Sequence, residues 1–98
     1  MISSDKLENE INRGQKAAQI LSEPLVKEAF ATLKQECYDQ WQKSPARDAE
    51  GREKLWLMLK SAERVEQHLR SVMETGKLAD ATLRQKLARA TGKASTVF

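Results

Sequence analysis

Leu55-Trp56-Leu57-Met58-Leu59-Lys60-Ser61-Ala62-Glu63-Arg64-Val65-Glu66-Gln67-His68-Leu69-Arg70-Ser71-Val72-Met73 is the core of the longest unbroken pattern in the chain. Leu55, Met58 or Leu59, Ala62, Val65, Leu69 and Val72 or Met73 recur three or four residues apart, which is the stripe of a helix burying one face. The spacing predicts a helix from about Asp48 to Thr75, the longest element and the backbone of the fold. At 1.5 Å per residue it spans about 40 Å, more than the helix before it, so its carboxyl half needs cover from helix one or another subunit. The run Leu55 to Leu59 is apolar all around the helix, and one face cannot bury it. Contact on more than one side follows, within a bundle or between subunits.

Upstream of this pattern, Lys43-Ser44-Pro45-Ala46-Arg47-Asp48 reads as a turn, with a proline and two possible N-caps in Ser44 and Asp48. Before the turn, Val26, Phe30, Leu33, Cys37 and Trp41 form a second apolar stripe, giving a helix from Pro24 to about Gln42 or Lys43. Proline suits the first helical position and steers the residue before it out of helical geometry, so Glu23-Pro24 starts that helix. The first segment carries Leu7, Ile11, Gly14, Ala18 and Leu21 on one face, and Asp5 with Glu8 resembles a capping box at its start. Gly14 costs roughly 1 kcal/mol of helix stability against alanine. It is either a point of close approach for another helix backbone or a tolerated weak point.

Downstream, Gly76-Lys77 has the form of a helix stop, with glycine supplying the left-handed residue. Leu78, Leu83 and Leu87 then mark a short fourth helix from about Asp80 to Ala90, and the last residues read as partly mobile. The expected fold class is all-α: an antiparallel hairpin of residues 24–43 and 48–75, an N-terminal helix and a short basic C-terminal helix, completed as a bundle by oligomerisation. The expected organisation is a helical domain over 1–76 and a basic segment over 77–98.

Ninety-eight residues make one domain with a modest core, and 40% apolar with 32% charged residues suits a folded chain. Mean hydropathy of −0.65 makes the surface very polar. Long helices with few crossing partners often finish their core by self-association, so a homo-oligomer is expected. The amino terminus becomes charged at Asp5 and Lys6, no stretch reaches the roughly 18 apolar residues of a span, and Cys37 is the sole cysteine. The expectation is a cytoplasmic chain without a membrane span or internal disulfide.

Charge is uneven. Residues 77–98 hold Lys77, Arg84, Lys86, Arg89 and Lys93 against Asp80 alone, whereas residues 1–76 carry 12 basic and 13 acidic groups. Such asymmetry points to an acidic partner, nucleic acid or protein. Arg84, Lys86, Arg89 and Lys93 supply attraction to phosphates, but within residues 77–98 no aromatic residue precedes Phe98 to stack bases.

Catalysis and cofactors find no support. His68 is the lone histidine and Cys37 has no CxxC spacing beside it, which argues against a metal. Cys37 lies on the apolar stripe, where a thiol acts as a small hydrophobe. Glu63 with Glu66 and Glu50 with Glu53 have basic neighbours for ordinary surface pairing. Neither GxGxxG nor GxxxxGK[ST] occurs. The chain is expected to be no enzyme and to need no cofactor.

Trp41 and Trp56 flank the turn at similar distances, so a hairpin brings them to the same end with Tyr38. They either plug the end of the core or form a partly exposed aromatic patch edged by Arg47, Arg52 and Lys54. On the second reading Trp56, Leu57, Trp41 and Arg52 are the partner-binding residues.

The phrases Arg13-Gly14-Gln15-Lys16-Ala17, Pro24 with Glu28-Ala29-Phe30, Trp41, Pro45, Arg47-Asp48-Ala49-Glu50-Gly51-Arg52-Glu53-Lys54-Leu55-Trp56, His68-Leu69 and Gly76-Lys77-Leu78-Ala79 carry a resemblance. Over residues 5 to 80 the chain resembles small uncharacterised helical proteins of tailed bacteriophages and prophages. None of these phrases has a known chemical role, so no functional residue is carried over. The resemblance implies a phage context, in the host cytoplasm or associated with the virion. There such proteins serve as virion, assembly or packaging components or bind a host protein. Two expectations follow: a self-associating interaction protein that docks a phage or host protein, or a DNA-binding accessory factor that uses the basic segment.

Overall fold

The first helix, α1, covers Ser4–Ser22, and Ser3 starts it: its hydroxyl accepts the Lys6 N–H at 3.2 Å while its carbonyl accepts the Leu7 N–H at 3.1 Å. The cap is therefore Ser3, not the expected Asp5 and Glu8 box. A serine two residues earlier already satisfies the first free N–H, and Asp5 sits inside the first turn, where its charge favours the helix dipole. This is a computed structural model, which describes residues 3–95 and the side chains of residues 3–91.

Glu23 breaks the chain between α1 and the second helix, α2, which covers Pro24–Lys43. Its backbone is extended, at φ −66° and ψ 122°, as the following proline requires. Its carboxylate accepts the Leu25 N–H at 3.2 Å and its own N–H donates to the Ile20 carbonyl, so both helix ends are satisfied at one residue. At the far end of α2, Ser44 is extended and donates to the Trp41 carbonyl from both its N–H and its hydroxyl. Of the two expected N-caps, Asp48 caps the third helix, accepting the Gly51 N–H at 3.0 Å, and Ser44 instead closes α2.

The third helix, α3, covers Ala49–Ser95 without a break. Two expectations are corrected here. Gly76 does not stop a helix, because no described glycine has a positive φ, and residues 80–90 are not a separate fourth helix. The reason lies in packing: Gly76 is buried against α1, and Ala79 and Leu83 continue its buried side. All described regular structure is helical.

The chain packs as two units. One joins α1 up to Gln19 with α3 from Arg70 onward. Its buried centre is Leu7, Gly14 and Ala17 of α1 against Gly76 and Ala79 of α3. A β-carbon built on Gly14 would lie 2.7 Å from the Gly76 Cα, so the two backbones meet directly, and Gly14 is a point of close approach. Lys86 reaches the Ser4 hydroxyl at 3.4 Å, so the two helices run antiparallel. Residues after Gly76 thus form half of this unit.

The other unit is Ile20 to Leu69, α2 against the first part of α3. Trp41 meets Arg52 and Lys34 meets Glu66, so contacts move down α2 as they move up α3. Among its described residues only Cys37 and Ala62 are buried, both small. Val26, Phe30, Leu55, Leu59 and Leu69 are half-buried. The large apolar side chains of this unit thus rim a shallow core.

Candidate interaction surface

Arg52 lies one turn past the Asp48 cap, and that position aims its guanidinium back at the end of α2. It stacks 4.0 Å over the centre of the Trp41 ring. Its Nη1 donates to the carbonyls of Trp41 and Ser44, both at 3.2 Å, and to the Ser44 hydroxyl at 3.0 Å. A cation therefore sits at the carbonyl end of α2, where the helix dipole is negative. Arg52 is held within the chain, and its effect on a partner passes through the orientation it imposes on Trp41.

Beside this clamp, Cys37, Tyr38, Trp41, Leu55, Trp56 and Leu59 line a cleft of about 190 Å³. Tyr38 and Trp41 are tilted by 53° with ring centres 6.3 Å apart. Trp41 is 40% and Trp56 53% exposed, so the two rings are open to solvent rather than sealed in the core. The Lys60 ammonium stands 5.7 Å from the Trp56 ring and pairs with Glu63 at 3.2 Å. Each tryptophan ring thus has one cation of α3 over it, Arg52 at Trp41 and Lys60 at Trp56.

Successive residues of a helix turn by roughly 100°, so Leu57 cannot share the face of Trp56. It lines a groove of about 410 Å³ on the opposite flank of the α2 and α3 pair, with Phe30, Leu33, Met58, Ser61 and Val65. Leu57, Met58 and Val65 are each about half exposed, at 50%, 51% and 53%. Among the four expected partner-binding residues, the structure therefore brings together Trp41, Arg52 and Trp56, and puts Leu57 elsewhere.

Between these two flanks the helices are pinned by Lys34 and Glu66, whose ammonium and carboxylate meet at 2.7 Å with the carboxylate largely shielded. Sequence reading missed this pair because its members are 32 residues apart. It also missed Met58 and Val65 as an exposed pair, whereas Tyr38 stands with Trp41 and Trp56 as the spacing predicts. The all-apolar run at 55–59 was the available signal, but the path of α2 decides which of its members stay open.

Of the expected phosphate-contacting residues, Arg84, Lys86 and Arg89 have described side chains, and these three do not share one face of α3. Arg84 Nε binds Asp80 at 3.1 Å, four residues back on its own helix. Lys86 is half-buried and reaches Ser4. Arg89 is exposed, roughly 60° around the helix from Lys86 and well away from Arg84. The Lys93 side chain lies outside the described residues.

Among the described residues no group of three histidine, cysteine or acidic side chains gathers as a metal would need. No described helix is long and apolar enough to cross a membrane. Comparison with protein-family models, curated protein sequences and solved structures returned no match.

Proposed function

We propose that this chain is a non-enzymatic helical interaction protein that associates with copies of itself and docks another protein on its aromatic cleft. The observation that carries the reading is the half-exposure of Trp56, Leu57 and Met58 at consecutive positions, on both flanks of one helix pair. Lone exposed apolar residues are ordinary, but contiguous ones mark interaction sites. A hairpin of α2 and α3 with so small a core is completed as a bundle when a second copy adds its helices. In the phage setting that the resemblance implies, the docked protein is a virion, assembly or host component.

Light scattering after size-exclusion chromatography tests this, at low and high salt and with and without a short DNA duplex. The expected result is an oligomer indifferent to DNA. A strict monomer at high concentration that binds no apolar dye sinks the reading.

The second reading, contact with nucleic acid, rests on charge. The unit of residues 1–19 and 70–98 has nine basic against five acidic residues, whereas 20–69 has eight against nine. Mass gained only with DNA, and lost as salt rises, favours it.

A further inference from the structure

A hollow lined by Ile11, Gln15 and Ala18 of α1 with Met73, Lys77 and Arg84 of α3 marks one flank of the unit these helices form. Glu8 and Arg70 stand seven residues from Gln15 and Lys77, on the same two lines. Charge on this flank cancels: Arg70, Lys77 and Arg84 face Glu8, Glu74 and Asp80, with Lys77 paired to Glu74 and Arg84 to Asp80. The opposite flank is different. Lys6 is five residues from Ile11 and Arg13 two from Gln15, while Lys86 and Arg89 are two and five from Arg84. Each is thereby turned roughly 140–160° away from the hollow. The helices run antiparallel, with Gly14 at Gly76 and Ser4 at Lys86, so the four cations share one side of the pair over about 18 Å. Lys6, Arg13 and Arg89 are exposed, and among the described residues none of them pairs with a carboxylate. Glu10, the single acidic residue on this flank, is half-buried. Asp5 and Lys16, roughly 180° and 200° around α1 from Gly14, point away from α3 and favour neither flank.

We infer that the phosphate backbone of a DNA duplex lies along this flank, held by Lys6 and Arg13 of α1 together with Lys86 and Arg89 of α3. The inference rests on the nucleic-acid reading above, and it moves half of the contacts to α1, where sequence reading placed none. Charge complementarity selects the partner. A duplex presents one negative charge per roughly 1.7 Å of its axis, so cations spread over about 18 Å meet phosphates in any register. A protein partner would need an apolar centre to the interface, and Leu78 is the only large apolar side chain exposed on this flank. Asn9, Thr75 and Thr82 fill the space between the cations. Single strands are held by stacking on aromatic rings, and neither helix of this unit has an aromatic residue among those described. No element here reads base edges, so the contact is independent of sequence. Such contacts have dissociation constants of roughly 10⁻⁴–10⁻⁶ M at physiological salt. They come apart on a sizing column, so binding has to be read at equilibrium.

The test titrates the full chain into a short fluorescent duplex, reads anisotropy and repeats the titration over a salt series. Lys6→Gln with Arg13→Gln is compared with Lys77→Gln and Arg84→Gln, which remove the same charge from the other flank. Circular dichroism checks that both double variants keep their helicity, since all four side chains are exposed. The first pair is expected to weaken binding about tenfold or more and to flatten the salt dependence by about two units of slope. The second pair is expected to change affinity less than about threefold with the slope unaltered. Equal losses from the two pairs overturn this flank and leave the nucleic-acid reading standing, because net charge alone would then explain the binding. Polyglutamate held through Lys6 and Arg13 where the duplex is not held overturns the duplex as occupant in favour of an acidic protein. No binding of either probe at low salt overturns the flank and the nucleic-acid reading together.

Discussion

Gly14 and Gly76 touch backbone to backbone, and a β-carbon on either would lie 2.7 Å from the other's Cα. Real β-carbons do not approach so closely, so α1 and α3 meet at this distance only because both residues are glycine. The nearby carbonyls of Glu10 and Val72, 2.9 and 3.2 Å from the built β-carbons, leave no room for sideways adjustment.

Gly76→Ala should lower stability by about 1–3 kcal/mol, the usual cost of overpacking. Alanine by itself favours a helix interior by roughly 1 kcal/mol, so the two effects oppose and the contact is expected to win. Thermal melting followed by circular dichroism decides it. A rise in melting temperature would mean the helices separate at no cost.

Removing residues 77–98 should strip α1 of its partner, because Ala79, Leu83 and Lys86 lie along it. Helicity should fall by more than the deleted residues account for, as α1 unravels too. Loss of DNA retention in such a truncation would therefore not implicate the basic side chains. Arg89→Glu with Lys93→Glu is the cleaner probe of phosphate contact, each removed contact flattening the salt dependence by about one unit of slope.

Arg52→Lys should cost about 1 kcal/mol and shift tryptophan emission to longer wavelength. Lysine keeps the charge but not the flat guanidinium that stacks on Trp41 while donating to Ser44. Urea unfolding and fluorescence read the two effects separately. Unchanged emission would mean that Trp41 holds its orientation without the clamp.

A double-mutant cycle on Lys34→Ala and Glu66→Ala should give a coupling near 1 kcal/mol, because the Glu66 carboxylate is largely shielded. Lys54 and Glu50 pair at 3.6 Å in full view of solvent, and their coupling should stay below about 0.5 kcal/mol. Equal couplings at 0.5 M salt would contradict the shielding.

Local chemistry made some elements readable in advance. Pro24 and Asp48 start helices through their own backbone and side-chain bonds, so their positions need no knowledge of the rest of the fold. Gly76 was misread because glycine serves both a helix stop and a helix crossing, and what separates the two is Gly14, 62 positions away. The run at 55–59 announced contact on several sides. Which residues fall on which flank depends on where α2 lies, and Lys34 with Glu66 helps to fix that.

Cys37, the sole thiol of the chain, is only 4% exposed and forms part of the cleft wall. At 4% exposure its reaction with an alkylating reagent is expected to be slow and to speed up when the cleft between α2 and α3 widens, so the labelling rate reports on that local opening. The native protein therefore carries its own clock for that motion, with no competing thiol to correct for. A protein seated on the Trp56 side should slow the clock directly. One seated on the Leu57 side should slow it only insofar as it holds the helix pair shut.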